Sequence, residues 1–84
     1  ADIVMVKPAS AYLDIISDFS QETSLPVAGY HTSGEYAMLF HGANHGLFKL
    51  MDACLEVTLG IKRAGASIIL SYAALDIVQY LKNR

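Results

Sequence analysis

The sequence predicts an α/β fold with parallel strands, in the order β-α-β-α-α-β-α. Three observations carry this reading. Three short apolar runs, Ile3–Val6, Val27–Tyr30 and Ile68–Leu70, are each bounded by turn or polar residues. The stretches between them repeat their apolar residues with the period of a helix. Alternation of this kind calls for parallel strands joined by right-handed crossovers.

Taken in order, the first strand is expected over Ile3 to Lys7. An unbroken apolar run suggests a strand covered on both faces. Pro8 has no N–H to give a ladder, so the strand ends there and leaves Lys7 at its C-terminal edge. Ser10 offers an N-cap for the first helix, on which Tyr12, Ile15, Ile16 and Phe19 form one apolar face. That helix frays out around Ser20 to Ser24. After Pro26 the second strand runs from Val27 to Tyr30 or His31. Gly34 and Glu35 open a second helix to about Phe40, and Gly42, Asn44 and Gly46 read as a break. A longer helix follows over about Phe48 to Ala64, with Leu50, Cys54, Val57 and Ile61 inward. Lys62 and Arg63 suit the negative end of its dipole, and Gly65 suits a C-terminal cap. The third strand spans Ser67 to Ser71, with Tyr72 at its end. The last helix spans about Ala74 to Lys82, with Ala74, Ile77, Val78 and Leu81 on one face.

Eighty-four residues make at most one small domain. With 54% apolar and 17% charged residues the chain is globular and rich in core. A net charge of −2 and the lack of a Lys/Arg stripe argue against nucleic-acid or anionic-membrane binding. No apolar run approaches a membrane span, and no signal-peptide pattern opens the chain. One cysteine, Cys54, excludes an intrachain disulfide and a cysteine-rich zinc site, and reads as a buried small apolar group. Three parallel strands leave two open edges, a liability for a free-standing domain. The chain therefore reads as a piece of a (β/α) barrel or of a doubly wound sheet.

Every strand ends in a candidate chemical group: Lys7, then Tyr30 with Ser33, then Tyr72. Crossovers bring all three ends to one edge, where parallel α/β folds do their chemistry. Lys7 is either a surface lysine with its head in water or a Schiff-base nucleophile. An amine attacks a ketone only when neutral, a state that desolvation or a second cation favours. Tyr30 and Tyr72 are either core aromatics with wet hydroxyls or ligand contacts. Ser33 is a helix N-cap, an anion contact at that helix start, or both. His41 and His45 have a zinc-binding spacing, but Gly42 and Gly46 interrupt that helix and no Glu follows His41. Asp14, Asp18 and Glu22 form a wet acidic face.

Five motifs in order then give a resemblance: Met5-Val6-Lys7-Pro8, Tyr12-Leu13-Asp14-Ile15, Tyr30-His31-Thr32-Ser33-Gly34-Glu35-Tyr36-Ala37-Met38, Lys62-Arg63-Ala64-Gly65-Ala66 and Ile68-Ile69-Leu70-Ser71-Tyr72. Together they resemble the C-terminal part of the porphobilinogen synthase (5-aminolevulinate dehydratase) family, across essentially the whole chain. The resemblance implies the last three βα units of an eight-stranded (β/α)8 TIM barrel, with residues 1–84 a C-terminal fragment of that single domain. It implies condensation of two 5-aminolevulinate molecules into porphobilinogen with loss of two waters, through two Schiff-base lysines. Lys7 matches the later of those lysines. Ser33 and Tyr72 match residues that hold the substrate on it, through its carboxylate, and Tyr30 matches a tyrosine packed on the same substrate. The family usually has Gly where Ala9 follows Pro8 here.

The other lysine, the metal segment, the lid and the N-terminal arm belong to earlier parts of the family chain, so no metal ligand is carried over to this sequence. The resemblance implies zinc or magnesium and a homo-octamer for the full-length enzyme, and an isolated segment without activity. For the compartment it implies the cytoplasm, with a plastid as the alternative. Two other readings stay open: a different Schiff-base aldolase or lyase barrel, and a non-catalytic structural piece.

Overall fold

The computed structural model describes residues 2–83. It contains strands β1 (Val4–Val6), β2 (Val27–His31) and β3 (Ile68–Ser71) and helices α1 (Leu13–Glu22), α2 (Ser33–Asn44), α3 (Leu50–Ala64) and α4 (Ala74–Lys82). A 3-10 turn, Ala9–Ala11, lies between β1 and α1. The strands form one parallel sheet in the order β1-β2-β3. Val4 pairs with Val27 and Val6 with Gly29, while Ala28 pairs with Ile68 and His31 with Ser71. The predicted α/β class, element order and parallel pairing are those observed.

Side chains alternate along a strand, so the register sorts them onto two faces. Val6, Val27, Gly29 and Ile69 point toward α1 and α3, where Val6, Ala9, Ile16, Val27, Ile61 and Ala66 make the main core. Burying Ile16 and Ile61 completely stabilises the fold by about 1.5–3 kcal/mol each. A second cluster, Cys54, Ala73 and Ile77, joins α3 to α4, with Tyr36 and Leu39 of α2 packed against it. Burial, then the charge of Asp76, pushes the Cys54 thiol up, so it packs there as a small neutral group.

The opposite face of the sheet is uncovered. Ile3 and Met5 are 50% and 47% exposed, and Ile68 and Leu70 are 38% and 43% exposed. This corrects the expectation of strands buried on both sides. The apolar runs are suited to two covers, but the helices of this chain supply one.

Four boundaries also differ. β1 pairs with β2 only from Val4 to Val6, so Ile3 and Lys7 flank the strand instead of belonging to it. Ser10 is not the N-cap of α1. It lies in the 3-10 turn closed by Tyr12 N–H on Ala9 C=O, and α1 starts after Tyr12. The Ser10 N–H and hydroxyl donate instead to the Glu35 carboxylate. Helix α2 does not stop at Phe40 but continues to Asn44. Gly42 is tolerated inside it because a Cβ there would meet Phe48 Cζ at 2.6 Å, so the missing side chain makes room for the ring. The break falls at Gly46, with φ +79°, and α3 begins at Leu50 instead of Phe48. Gly65 caps α3 with φ +126°, as its position predicts.

Gly29 sits where the sheet and helices approach most closely. A Cβ there would stand 2.7 Å from Ile61 Cγ2 and 3.4 Å from Ala9 Cβ. Gly29→Ala should therefore destabilise the fold by about 1–3 kcal/mol through overpacking. Guanidinium unfolding measures this. An unchanged midpoint would mean that α3 moves away from the sheet without cost.

Candidate active site

The C-terminal ends of the three strands carry the candidate residues, and the turns after them fix where each points. Lys7 is exposed and lies one residue beyond the Val6–Gly29 pair, level with Tyr30 on the next strand. The Lys7–Pro8 peptide bond is cis. Tyr30 is on the uncovered face of β2, beside Leu70 of β3. Tyr72 follows β3 directly, and the Tyr30 hydroxyl donates to the Tyr72 oxygen at 3.3 Å. Their rings stand 6.4 Å apart at 44°. The Tyr72 hydroxyl, then desolvation, pushes Tyr30 above its ordinary value, so it stays protonated and able to donate at neutral pH. Tyr30, Leu70, Ser71 and Tyr72 line an open depression of about 280 Å³. Ser33 is the first residue of α2 and is exposed. The geometry thus joins Tyr30 to Tyr72 and sets Lys7 on the adjacent strand end. No hydrogen bond among the described residues ties Ser33 or Lys7 to the tyrosines.

Two buried polar groups hold these turns. Ser71 Oγ accepts the Ala73 N–H at 3.0 Å, a serine turn that pins the backbone on both sides of Tyr72. The same oxygen lies 3.3 Å from Nδ1 of His31, which is 1% exposed and has no partner for Nε2 among the described residues. Burial lowers the His31 pKa, and the nearby Glu35 charge offsets this only partly, so the imidazole is neutral at pH 7.

Glu35 is 5% exposed. Its Oε1 accepts from the Ser10 backbone N–H at 2.9 Å and from the Ser10 hydroxyl. Its Oε2 accepts from the Thr32 backbone N–H at 2.7 Å and from Thr32 Oγ1 at 3.0 Å. Desolvation pushes the carboxyl up, but the donors of Ser10 and Thr32 together outweigh it and hold the pKa below the usual carboxylate range. The contact closes a capping box, so the N-cap of α2 is Thr32, and Ser33, expected as a possible cap, is the first helical residue. The sequence carried this signal as Thr32-x-x-Glu35. Nothing local marked Ser10 as the second partner, 25 residues away.

Among the described residues no group of three or more His, Cys, Asp or Glu is placed to hold a metal ion. His41 and His45 are both exposed, near the end of α2 and at its C-cap. The described residues do not fit a metal centre. No helix among them is long and apolar enough to cross a membrane.

These features define a parallel α/β segment of βα units with the candidate side chains at or just beyond its strand ends. A family model described as delta-aminolevulinic acid dehydratase matches residues 1–80. The Bos taurus delta-aminolevulinic acid dehydratase is 48% identical over 84 residues, covering 99% of this chain and 26% of its own length. The Escherichia coli enzyme of the same name is 48% identical over 79 residues, covering 94% of this chain and 24% of its own. A chloroplastic relative from Physcomitrium patens is 47% identical over 81 residues, covering 96% of this chain and 19% of its own. A crystal structure of the Toxoplasma gondii enzyme, delta-aminolevulinic acid dehydratase (porphobilinogen synthase) in complex with the reaction product porphobilinogen, superposes with a TM-score of 0.94 at 38% identity, covering all of this chain and 24% of that one. The chain belongs to the delta-aminolevulinic acid dehydratase, or porphobilinogen synthase, family. It spans about a quarter of the length of the Bos taurus and Escherichia coli relatives.

The low Glu35 pKa sets a pH dependence. The unfolded chain binds the Glu35 proton more readily, so this stabilisation is complete above the usual value of 4.5 and is lost as pH falls through the folded value. His31 acts in the same direction in a higher window. Its contribution is complete above 6.5 and declines as pH falls through its lowered folded value. Denaturant unfolding at several pH values should show the stability gap between wild type and Glu35→Gln closing below about pH 4.5. A gap that stays constant with pH would contradict the hydrogen-bonded ionised carboxylate.

Proposed function

We propose that this chain is the C-terminal segment of a porphobilinogen synthase and carries half of its active site. The sheet then forms the last three βα units of a single (β/α)8 barrel, and residues 1–84 are one part of that domain. The observation that carries the reading is the uncovered sheet face, where Tyr30 meets Tyr72 and Lys7 ends the adjacent strand, in a chain that superposes on a relative crystallised with porphobilinogen. The remaining barrel strands would cover the exposed Met5, Ile68 and Leu70 and desolvate the pocket.

In this reading the neutral Lys7 amine adds to the ketone carbon of one 5-aminolevulinate. A proton moves from nitrogen to oxygen, water leaves, and a C=N bond to the lysine remains. That imine nitrogen takes up a proton from solvent, and the iminium so formed accepts electron density, which eases deprotonation and formation of the new carbon–carbon or carbon–nitrogen bond. The Ser33 and Tyr72 hydroxyls donate to the substrate carboxylate, and Tyr30 packs on its chain. They fix the substrate so that reacting atoms start close and aligned. The second 5-aminolevulinate binds a lysine outside this segment, so the segment alone is inactive. The zinc or magnesium of the complete enzyme is held outside it as well. The complete enzyme is a homo-octamer of the cytoplasm or, as in the chloroplastic relatives, of a plastid.

Borohydride reduction in the presence of 5-aminolevulinate, with peptide mapping of the full-length enzyme that carries this segment, tests the assignment. The reduced adduct is expected on Lys7 and not on Lys49, Lys62 or Lys82. Lys7→Met should abolish turnover, and activity within tenfold of wild type would overturn the nucleophile. Tyr72→Phe should weaken binding of one substrate by about 1–3 kcal/mol, the cost of a lost charge-assisted bond. An unchanged substrate dependence would remove Tyr72 from the carboxylate site.

A further inference from the structure

The buried carboxylate of Glu35 has no part in the chemistry above, yet all its hydrogen bonds go to the two turns that present that chemistry. Ser10 is three residues beyond Lys7. Thr32 directly precedes Ser33 and is two residues beyond Tyr30. Each carboxylate oxygen serves one turn: Oε1 takes both donors of Ser10, and Oε2 takes both donors of Thr32. Among the described residues no other side-chain hydrogen bond joins the turn after β1 to the start of α2. A plain capping box would need only the Thr32 half of this arrangement. The Ser10 half spans 25 residues of sequence and caps no α-helix, since α1 begins after Tyr12.

We propose that Glu35 is a positioning residue for the Schiff-base reaction: its carboxylate ties the turn that follows Lys7 to the helix start that bears Ser33, and so fixes the distance between the nucleophile and the hydroxyl that holds the substrate carboxylate. This inference rests on the functional reading given above. Its physical basis is acceptor chemistry. An ionised carboxylate accepts on both oxygens and offers no proton, so four donors from two turns are satisfied together. A glutamine in its place turns an NH2 toward the Ser10 donors or the Thr32 donors. Donor then meets donor, and one of the two turns loses its anchor. A displacement of about 1 Å between reacting groups costs on the order of a hundredfold in rate, so even partial release is measurable.

The test is the rate constant of Lys7 adduct formation in the full-length enzyme at saturating 5-aminolevulinate, read by borohydride quenching and peptide mapping. Glu35→Gln is expected to lower that rate constant about tenfold or more. Loss of stability alone would reduce the labelled fraction and leave the rate constant unchanged, and that result would overturn the proposal. So would any slowing of less than tenfold. If Glu35→Gln does not fold, Ser10→Ala replaces it. That exposed residue loses one donor to the carboxylate, and slowing of threefold or more supports the proposal while a smaller change overturns it. A wild-type enzyme whose Lys7 is not labelled would overturn the functional reading, and this inference with it. Labelled wild type with an unaffected variant would overturn only the role of Glu35.

Discussion

Side chains alternate along a strand, so each of the three strands faces two environments at once. In this chain the helices fill one of them. Gly29 lets α3 and the Ala9 turn come close to the sheet, and Ile16, Ile61, Val6 and Val27 close the space around it. The other face keeps Met5, Tyr30, Ile68 and Leu70 without a helical cover. The candidate chemistry lies on that second face. The same alternation that drives the core together therefore leaves Tyr30 partly exposed, with Tyr72 exposed beside it.

Polar burial at the strand ends follows a stricter rule than apolar burial. A carboxylate removed from water destabilises by several kcal/mol unless its oxygens are met by donors. Glu35 is met by four, and the result is one hydrogen-bonded junction between the turns after β1 and β2. Ser71 makes a smaller junction after β3, accepting from Ala73 beside His31. Each strand end that carries a candidate residue thus has within a few positions a polar side chain that anchors its turn. Polar hydrogen bonds thus hold the edge of the sheet, as apolar packing holds the core.

Local signals were read correctly where the physics is local. Gly65 past a basic helix end gave the cap of α3, and the apolar runs gave all three strands and their parallel sense. Thr32-x-x-Glu35 was present as a capping box, although the expectation set the cap on Ser33. Misreadings arose where a distant residue changed the balance. Ser10 has the chemistry of an N-cap, but the 3-10 turn at Ala9–Ala11 puts the helix start beyond Tyr12, and the Ser10 N–H and hydroxyl reach Glu35, 25 residues away. Gly42 has the propensity of a helix breaker, but the Phe48 ring occupies the space that a side chain would need.

By itself the sequence determined the α/β class, the order of the elements, the positions of Lys7, Tyr30, Ser33 and Tyr72 at strand ends, and a family resemblance that the comparisons bear out. These depend on periodicity, turn chemistry and motif spacing, which act over a few neighbouring residues. Only the tertiary structure decided which sheet face stays open, that the Tyr30 and Tyr72 hydroxyls meet at 3.3 Å, and that Glu35 joins two turns. Those outcomes depend on strand register and on contacts between residues 25 to 42 positions apart. No short window of sequence contains both partners, so the decision waits until the strands have paired.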